Sequence, residues 1–285
     1  MTALLEPAAG TGAVYKSILA ISEGGPDAEM SFRLAARIAA MFGGTVDAVH
    51  FSESEPDDVN IAAQAMPFLK SLSAERLKER ALESRRAFRE LIAPIEGAFF
   101  TGDPGMTREQ LVTSGRCADL AVIGRPGTDD ENISPETVKA AIYEFARPVL
   151  VAPPRLKSGP IDAVVVAWNG SAQAARAVGS AQALLAKARK VTVLVAKGHL
   201  EEVGAAFLLR NLNRSCIDVG IDSKDFGGLT GRGRGRALLG YARDKGADLL
   251  VMGAYGHGGL SNFLGLGGAT AKVIASCPIP LLLAH

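Results

Sequence analysis

The sequence predicts two tandem α/β domains, each a five-stranded parallel sheet with helices on both faces. Three observations carry that prediction. The chain repeats itself: residues 118–124 read ADLAVIG and residues 247–253 read ADLLVMG, each followed by a Gly-rich turn, a helical stretch and a closing apolar strand. Short β-branched runs alternate with amphipathic helical stretches, the pattern of a parallel sheet with right-handed crossovers. The strand-like runs are continuously apolar, as strands buried on both faces require. At 285 residues the chain is long enough for two cores of ordinary domain size.

In the first copy the apolar runs predict strands at 17–22, 45–51, 96–101, 120–123 and 149–152. Helical periodicity falls at 28–42, 69–91, 107–116 and 135–145. The second copy follows the same order, with strands at 161–167, 191–196, 217–224, 249–252 and 281–284 and helices at 171–188, 201–212, 235–245 and 268–276. The basic and acidic residues alternating over 70–89 suit a helix facing solvent. Between the copies, residues 153–160 read PPRLKSGP, whose prolines and glycine extend neither element. The domains are therefore expected at 15–153 and 161–285, with a linker at 154–160 and a disordered lead at 1–14. The closing strands, 148–152 and 280–284, are expected to pair across a pseudo-twofold axis, because each would otherwise be an open sheet edge. That makes one chain an intramolecular pseudo-dimer and leaves a homodimer of chains open.

Composition excludes several classes of partner. Lysine and arginine number 31 against 30 aspartates and glutamates, so no net field favours nucleic acid. No apolar run approaches the roughly 18 residues of a membrane span, and the N-terminal segment has no basic start. The expected place is the cytoplasm, away from membranes. Cys117, Cys216 and Cys277 are odd in number and lack CxxC spacing, so buried filler is their expected role.

In a parallel α/β sheet, ligands bind beyond the carboxyl ends of the strands where strand order reverses. That draws attention to the ends of strands one and four. After strand four the second copy reads GAYGHGGLSNFLGLGGAT over 253–270. Glycines at both ends of this loop admit a close backbone approach, and the final pair opens a helix whose first N–H groups attract an anion. Gly253, Gly256, Gly267 and Gly268, with the Gly-Ala-Tyr-Gly-His opening at 253–257, resemble the motif of the universal stress protein family. That motif is Gly-x-x-Gly, nine residues, then Gly-Ser or Gly-Thr. The resemblance covers nearly the whole chain in tandem, including the strand-one openings, and implies two Rossmann-like domains.

The family resemblance implies a non-catalytic stress-response regulatory protein that binds ATP or another adenine nucleotide. By the same resemblance, the site in the second copy comprises Ala167, Trp168 and Asn169 after strand one, and Val195 and Ala196 at the end of strand two, where backbone meets the adenine edge. Gly253, Gly256, His257, Gly267, Gly268, Ala269 and Thr270 complete it around the phosphates. The chain departs from the motif in two places. Ten residues separate Gly256 from Gly267, and Gly268 stands where the family has a hydroxyl. Family binders place an acidic residue after strand one; Asn169 takes that position here and Ser22 in the first copy. Asn brings no charge to Mg²⁺, so protein side chains are not expected to hold the metal.

In the first copy Gly124-Arg125-Pro126-Gly127 is followed by Asp129, Asp130 and Glu131, whose charge repels phosphate. That copy is expected to be an empty structural partner. The run GRGRGR at 231–236 reads as a flexible loop, its arginines as mobile phosphate contacts being the other reading. Trp168 reads as packing on the crevice floor or stacking on a base. His50 and His285, at strand ends, read as structural. Two other functions stay open: a slow nucleotide hydrolase with His257 or Asn169 orienting water, and a nucleotide-free interaction module. Without a nameable base, nucleophile or metal cluster near the loop, binding without catalysis is the expectation.

Overall fold

The first strands of the two repeats begin at the same device. Asp119 Oδ2 accepts the backbone N–H groups of Lys16 and Ser17 at 2.9 and 3.0 Å. Asp248 Oδ2 accepts those of Asp162 and Ala163 at 3.1 and 3.0 Å. The Asp of each Ala-Asp-Leu repeat thus pins the strand-four entrance to the strand-one entrance, which accounts for its presence in both copies. The computed structural model describes residues 15–52, 67–102, 106–126, 133–197, 199–229, 231–255 and 268–285. The expected lead at 1–14 lies outside them.

In the first half the elements are β1 (Ser17–Ser22), α1 (Pro26–Phe42), β2 (Thr45–His50), α2 (Pro67–Leu91), β3 (Phe99–Thr101), α3 (Arg108–Cys117), β4 (Leu120–Ile123), α4 (Pro135–Tyr143) and β5 (Val149–Val151). In the second they are β6 (Ala163–Trp168), α5 (Ala172–Lys187), β7 (Lys190–Ala196), α6 (His199–Leu212), β8 (Val219–Lys224), α7 (Gly231–Asp244), β9 (Leu249–Gly253), α8 (Ala269–Ser276) and β10 (Leu281–Ala284). All ten strands form one sheet in the order β3-β2-β1-β4-β5-β10-β9-β6-β7-β8. Pairing is parallel within each half. At the junction β5 and β10 run antiparallel, with Leu282 opposite Leu150, so each closing strand satisfies the other's edge.

Alternation along the strands sends side chains to two cores, one on each face. Ile18, Ala20, Val164, Val166, Leu150 and Leu282 belong to one, Leu19, Ile21, Val165, Val149, Leu281 and Leu283 to the other. Both cores run through both halves. Contacts outside the sheet reinforce the joint: the Tyr15 hydroxyl donates to the Ser180 carbonyl, and Tyr143 of α4 stacks on Tyr255 with ring centroids 5.5 Å apart. Arg37 of α1 holds the segment between the halves by donating to the Lys157 and Gly159 carbonyls.

Three expectations need correction. The run GRGRGR is no loop: α7 begins at Gly231. Glycine costs little in a first turn whose N–H groups have no intrahelical partner in any case. Gly235 has a tertiary reason, since a Cβ there would stand 2.9 Å from the Ala269 carbonyl oxygen and 3.0 Å from Lys272 Cβ. Second, β3 starts at Phe99 rather than 96, because Gly97 takes φ 74° and cannot continue a strand. Third, Cys117, expected as buried filler, is exposed at the end of α3, whereas Cys277 is buried.

Candidate functional site

The sheet reverses its order at β1–β4 and again at β6–β9, giving two equivalent crevices at the carboxyl ends of these strands. β1 and β6 are both six residues long, so Glu23 in the first half is the counterpart of Asn169 in the second. This corrects the assignment of Ser22 to that position; Ser22 matches Trp168.

In the first half Glu23 turns across the crevice to the start of α4. Its carboxylate accepts the Ser134 N–H at 2.9 Å and hydroxyl at 2.8 Å, and the Thr137 hydroxyl at 2.5 Å. Ser134 also caps the helix by accepting the Thr137 N–H at 3.2 Å. Burial pushes the Glu23 carboxyl above the usual range, and these hydrogen bonds oppose the shift. The helix end that would attract an anion therefore already holds one, supplied by the chain itself. The expected repulsion by Asp129, Asp130 and Glu131 falls outside the described residues.

Helix α2 closes the rest of this crevice. Arg80 Nε donates to the Glu23 carbonyl at 2.6 Å, and a Cβ on Gly24 would meet Arg80 Cβ at 2.5 Å. Beneath, the Ser84 hydroxyl bridges Ser22 Oγ at 2.8 Å and His50 Nδ1 at 2.9 Å. His50 is 4% exposed, and burial, with the nearby Arg80 charge, lowers its pKa to about 4. The folded value lies below the unfolded one of about 6.5, so between these limits the unfolded chain binds more protons. Stability is full above the unfolded value and is expected to fall by about 3 kcal/mol as pH drops to the folded one. Urea unfolding at pH 7 and pH 4.5 checks this: His50→Gln should lose much of that dependence, and parallel behaviour of the two proteins would show that His50 is not its source.

In the second half the same place is open. A cavity of about 700 Å³ lies at the ends of β6, β7 and β9. Of the residues expected at the site, Ala167, Trp168, Asn169, Ala196, Gly253, Gly268, Ala269 and Thr270 line it. Gly256, His257 and Gly267 lie outside the described residues. The Val195 side chain is buried in the core of the opposite face, because alternation along β7 turns Leu194 and Ala196 to the cavity instead. Only its backbone is left for a ligand.

Local contacts set the chemistry of each wall. Asn169 Oδ1 accepts the N–H and hydroxyl of Ser171 at 3.2 and 2.7 Å, and Ser171 in turn caps α5 through the Ala174 N–H. The Asn169 counterpart of Glu23 is thus held on its own side of the crevice, and among the described residues no side chain caps α8 at Gly268. Thr270 Oγ1 accepts the Tyr255 N–H at 3.3 Å. A hydroxyl that accepts still has its proton to donate. Tyr255 holds φ 53°, a left-handed conformation that ordinary residues rarely adopt. Trp168 both lines the cavity and packs on the core; its Nε1 is buried with no acceptor among the described residues.

Several lining residues were not singled out from sequence. Leu194 and Met252 form apolar floor, and Lys197, Asp225 and Phe226 come from the segments after β7 and β8. Arg234, one of the arginines for which phosphate contact was the second reading, lines the cavity with Gly231 and Leu238 of α7, at the i, i+3, i+7 spacing of one helical face. That periodicity was present in the sequence but hidden by the glycines. Among the described residues no cluster of three or more His, Cys, Asp or Glu is arranged to hold a metal ion, and no helix is long and apolar enough to cross a membrane.

Residues 229–285, which include α7, β9, α8 and β10, match the model of the universal stress protein family. The match covers the C-terminal fifth of the chain, within the second repeat. No curated protein matches it in sequence. A universal stress protein from Archaeoglobus fulgidus DSM 4304 is 13% identical with a TM-score of 0.63, over 95% of this chain and 98% of that one. A protein from Pseudomonas aeruginosa UCBPP-PA14 described as a universal stress protein is 15% identical with a TM-score of 0.54, over 96% and 94%. At these identities the likeness is one of fold, and it extends over both repeats. A shorter universal stress protein, solved in complex with cAMP, is 23% identical over 45% of this chain and 99% of its own, with a TM-score of 0.34.

Proposed function

We propose that the second repeat binds one adenine nucleotide in its cavity, that the first repeat is a structural partner, and that the protein acts in stress response by binding rather than by catalysis. One contrast carries this reading: two equivalent helix starts, of which α4 is occupied by Glu23 and capped by Ser134, while α8 has no side-chain cap among the described residues and lies beside a cavity of about 700 Å³. Bare helix-start amides and the Thr270 hydroxyl suit phosphate. Trp168, Leu194 and Met252 give an apolar, aromatic-edged floor suited to a base, and the volume falls in the range of small-molecule sites. The domain division at 154–160 is part of the same reading, the Pro-rich segment joining a ligand-binding repeat to a closed one.

Heat denaturation of freshly purified protein, followed by chromatography of the supernatant, tests for a carried nucleotide. Titration calorimetry of stripped protein with AMP, ADP and ATP tests for an exchangeable one. An adenine nucleotide found by either route supports the reading. Its absence from both would favour the nucleotide-free interaction module, for which Gly268 and the longer loop between Gly256 and Gly267 already speak. Release of ADP above background during incubation with ATP would contradict the non-catalytic part alone.

A further inference from the structure

The cavity has two unlike halves, and the binding reading above accounts for one of them. On the side of β6, β9 and α8 lie the small residues and the threonine already described. On the side of β7, β8 and α7 lie Lys197, Asp225 and Arg234. Asp225 is bound to its own turn, accepting the Gly227 N–H at 2.7 Å. Lys197 and Arg234 have no ion-pair partner among the described residues, although ion pairs occur nearby, such as Lys245 with Asp222 at 2.6 Å.

The place of Arg234 is built rather than incidental. Gly231, Arg234 and Leu238 share the face of α7 that lines the cavity. The next residue, Gly235, is buried against the first turns of α8, so close that a Cβ would stand 2.9 Å from the Ala269 carbonyl oxygen. That contact seats the start of α7 against the start of α8 and puts Arg234 on the wall of the same cavity as Gly268 and Thr270. A guanidinium offers a planar fork of donors matched to phosphate, and its charge persists at any physiological pH.

Resting on the proposed nucleotide site, we propose that Arg234 reads the length of the phosphate chain. It holds the terminal phosphate of a nucleoside di- or triphosphate, with Lys197 adding charge from β7, while the α8 side holds the phosphate nearest the ribose. The glycines of GRGRGR then have a role in the site: they permit the helix contact that places the arginine.

Calorimetric titration of adenosine, AMP, ADP and ATP into the wild type, Arg234→Gln and Arg234→Lys proteins at about 50 mM salt tests this. Wild-type affinity should rise from AMP to ATP. Arg234→Gln should weaken ATP on the order of tenfold, as expected for loss of a charged hydrogen bond, and AMP by less than about twofold. Arg234→Lys should fall between. Because Arg234 is exposed and without an ion pair among the described residues, unchanged thermal unfolding is expected and separates binding from folding. Wild-type binding with equal losses for AMP and ATP, or no loss for either, overturns the assignment of Arg234 and leaves the nucleotide site standing. A wild type that binds none of the four overturns the site and this inference together.

Discussion

Replacing Gly253 with valine is expected to abolish nucleotide binding and to destabilise the protein by about 3 kcal/mol, at the upper end of the usual range for overpacking. Gly253 ends β9 at the cavity wall, and any Cβ there would stand 2.5 Å from the Ala174 nitrogen and 2.6 Å from the Gln173 carbonyl carbon. Both are backbone atoms in the first turn of α5, so no side-chain rotation relieves the clash. The helix start must move, and it is tied through Ser171 to Asn169, so the β6 wall of the cavity moves with it. Calorimetry with ATP and thermal unfolding measure the two effects. A Gly253→Val protein that binds ATP as the wild type does would mean that the ligand sits elsewhere.

Leu282→Ala is expected to cost about 2–5 kcal/mol, the range for emptying a buried leucine site. Leu282 is wholly buried, faces the equally buried Leu150 across the antiparallel junction, and belongs to a core containing residues of both halves. The loss should therefore fall on the chain as a unit. The single tryptophan, Trp168, reports the second half by fluorescence, and far-ultraviolet circular dichroism reports both. Urea transitions from the two probes should shift together in the variant. A shift of the fluorescence transition alone would show that the halves unfold independently and that the junction is not what unites them.

The repeat, the alternation of strands and helices and the closing pair were legible because each follows from local pattern: the recurring Ala-Asp-Leu segment, continuous apolar runs, two otherwise open edges. The position of the candidate site was legible for the same reason, since topology alone brings the ends of the first and fourth strands together at Trp168 and Gly253. What was hidden depends on contacts distant in sequence. Glu23 meets Ser134 across 111 residues, and nothing local marks it as the internal anion of the first repeat. The start of α7 was read as a loop because its glycines have poor helix propensity, whereas the packing of Gly235 on Ala269 decides the matter. Lys197 and Asp225 follow strands two and three, whose ends the switch-point argument does not single out.

These elements converge on an asymmetry between two equal folds: among the described residues, one crevice is closed by its own carboxylate and by α2, and the other holds a cavity. Equilibrium dialysis of the stripped protein against saturating ATP measures it directly. One nucleotide per chain is the predicted stoichiometry. Two per chain would show that Glu23 does not close the first repeat, and none would show that the open cavity is not a nucleotide site.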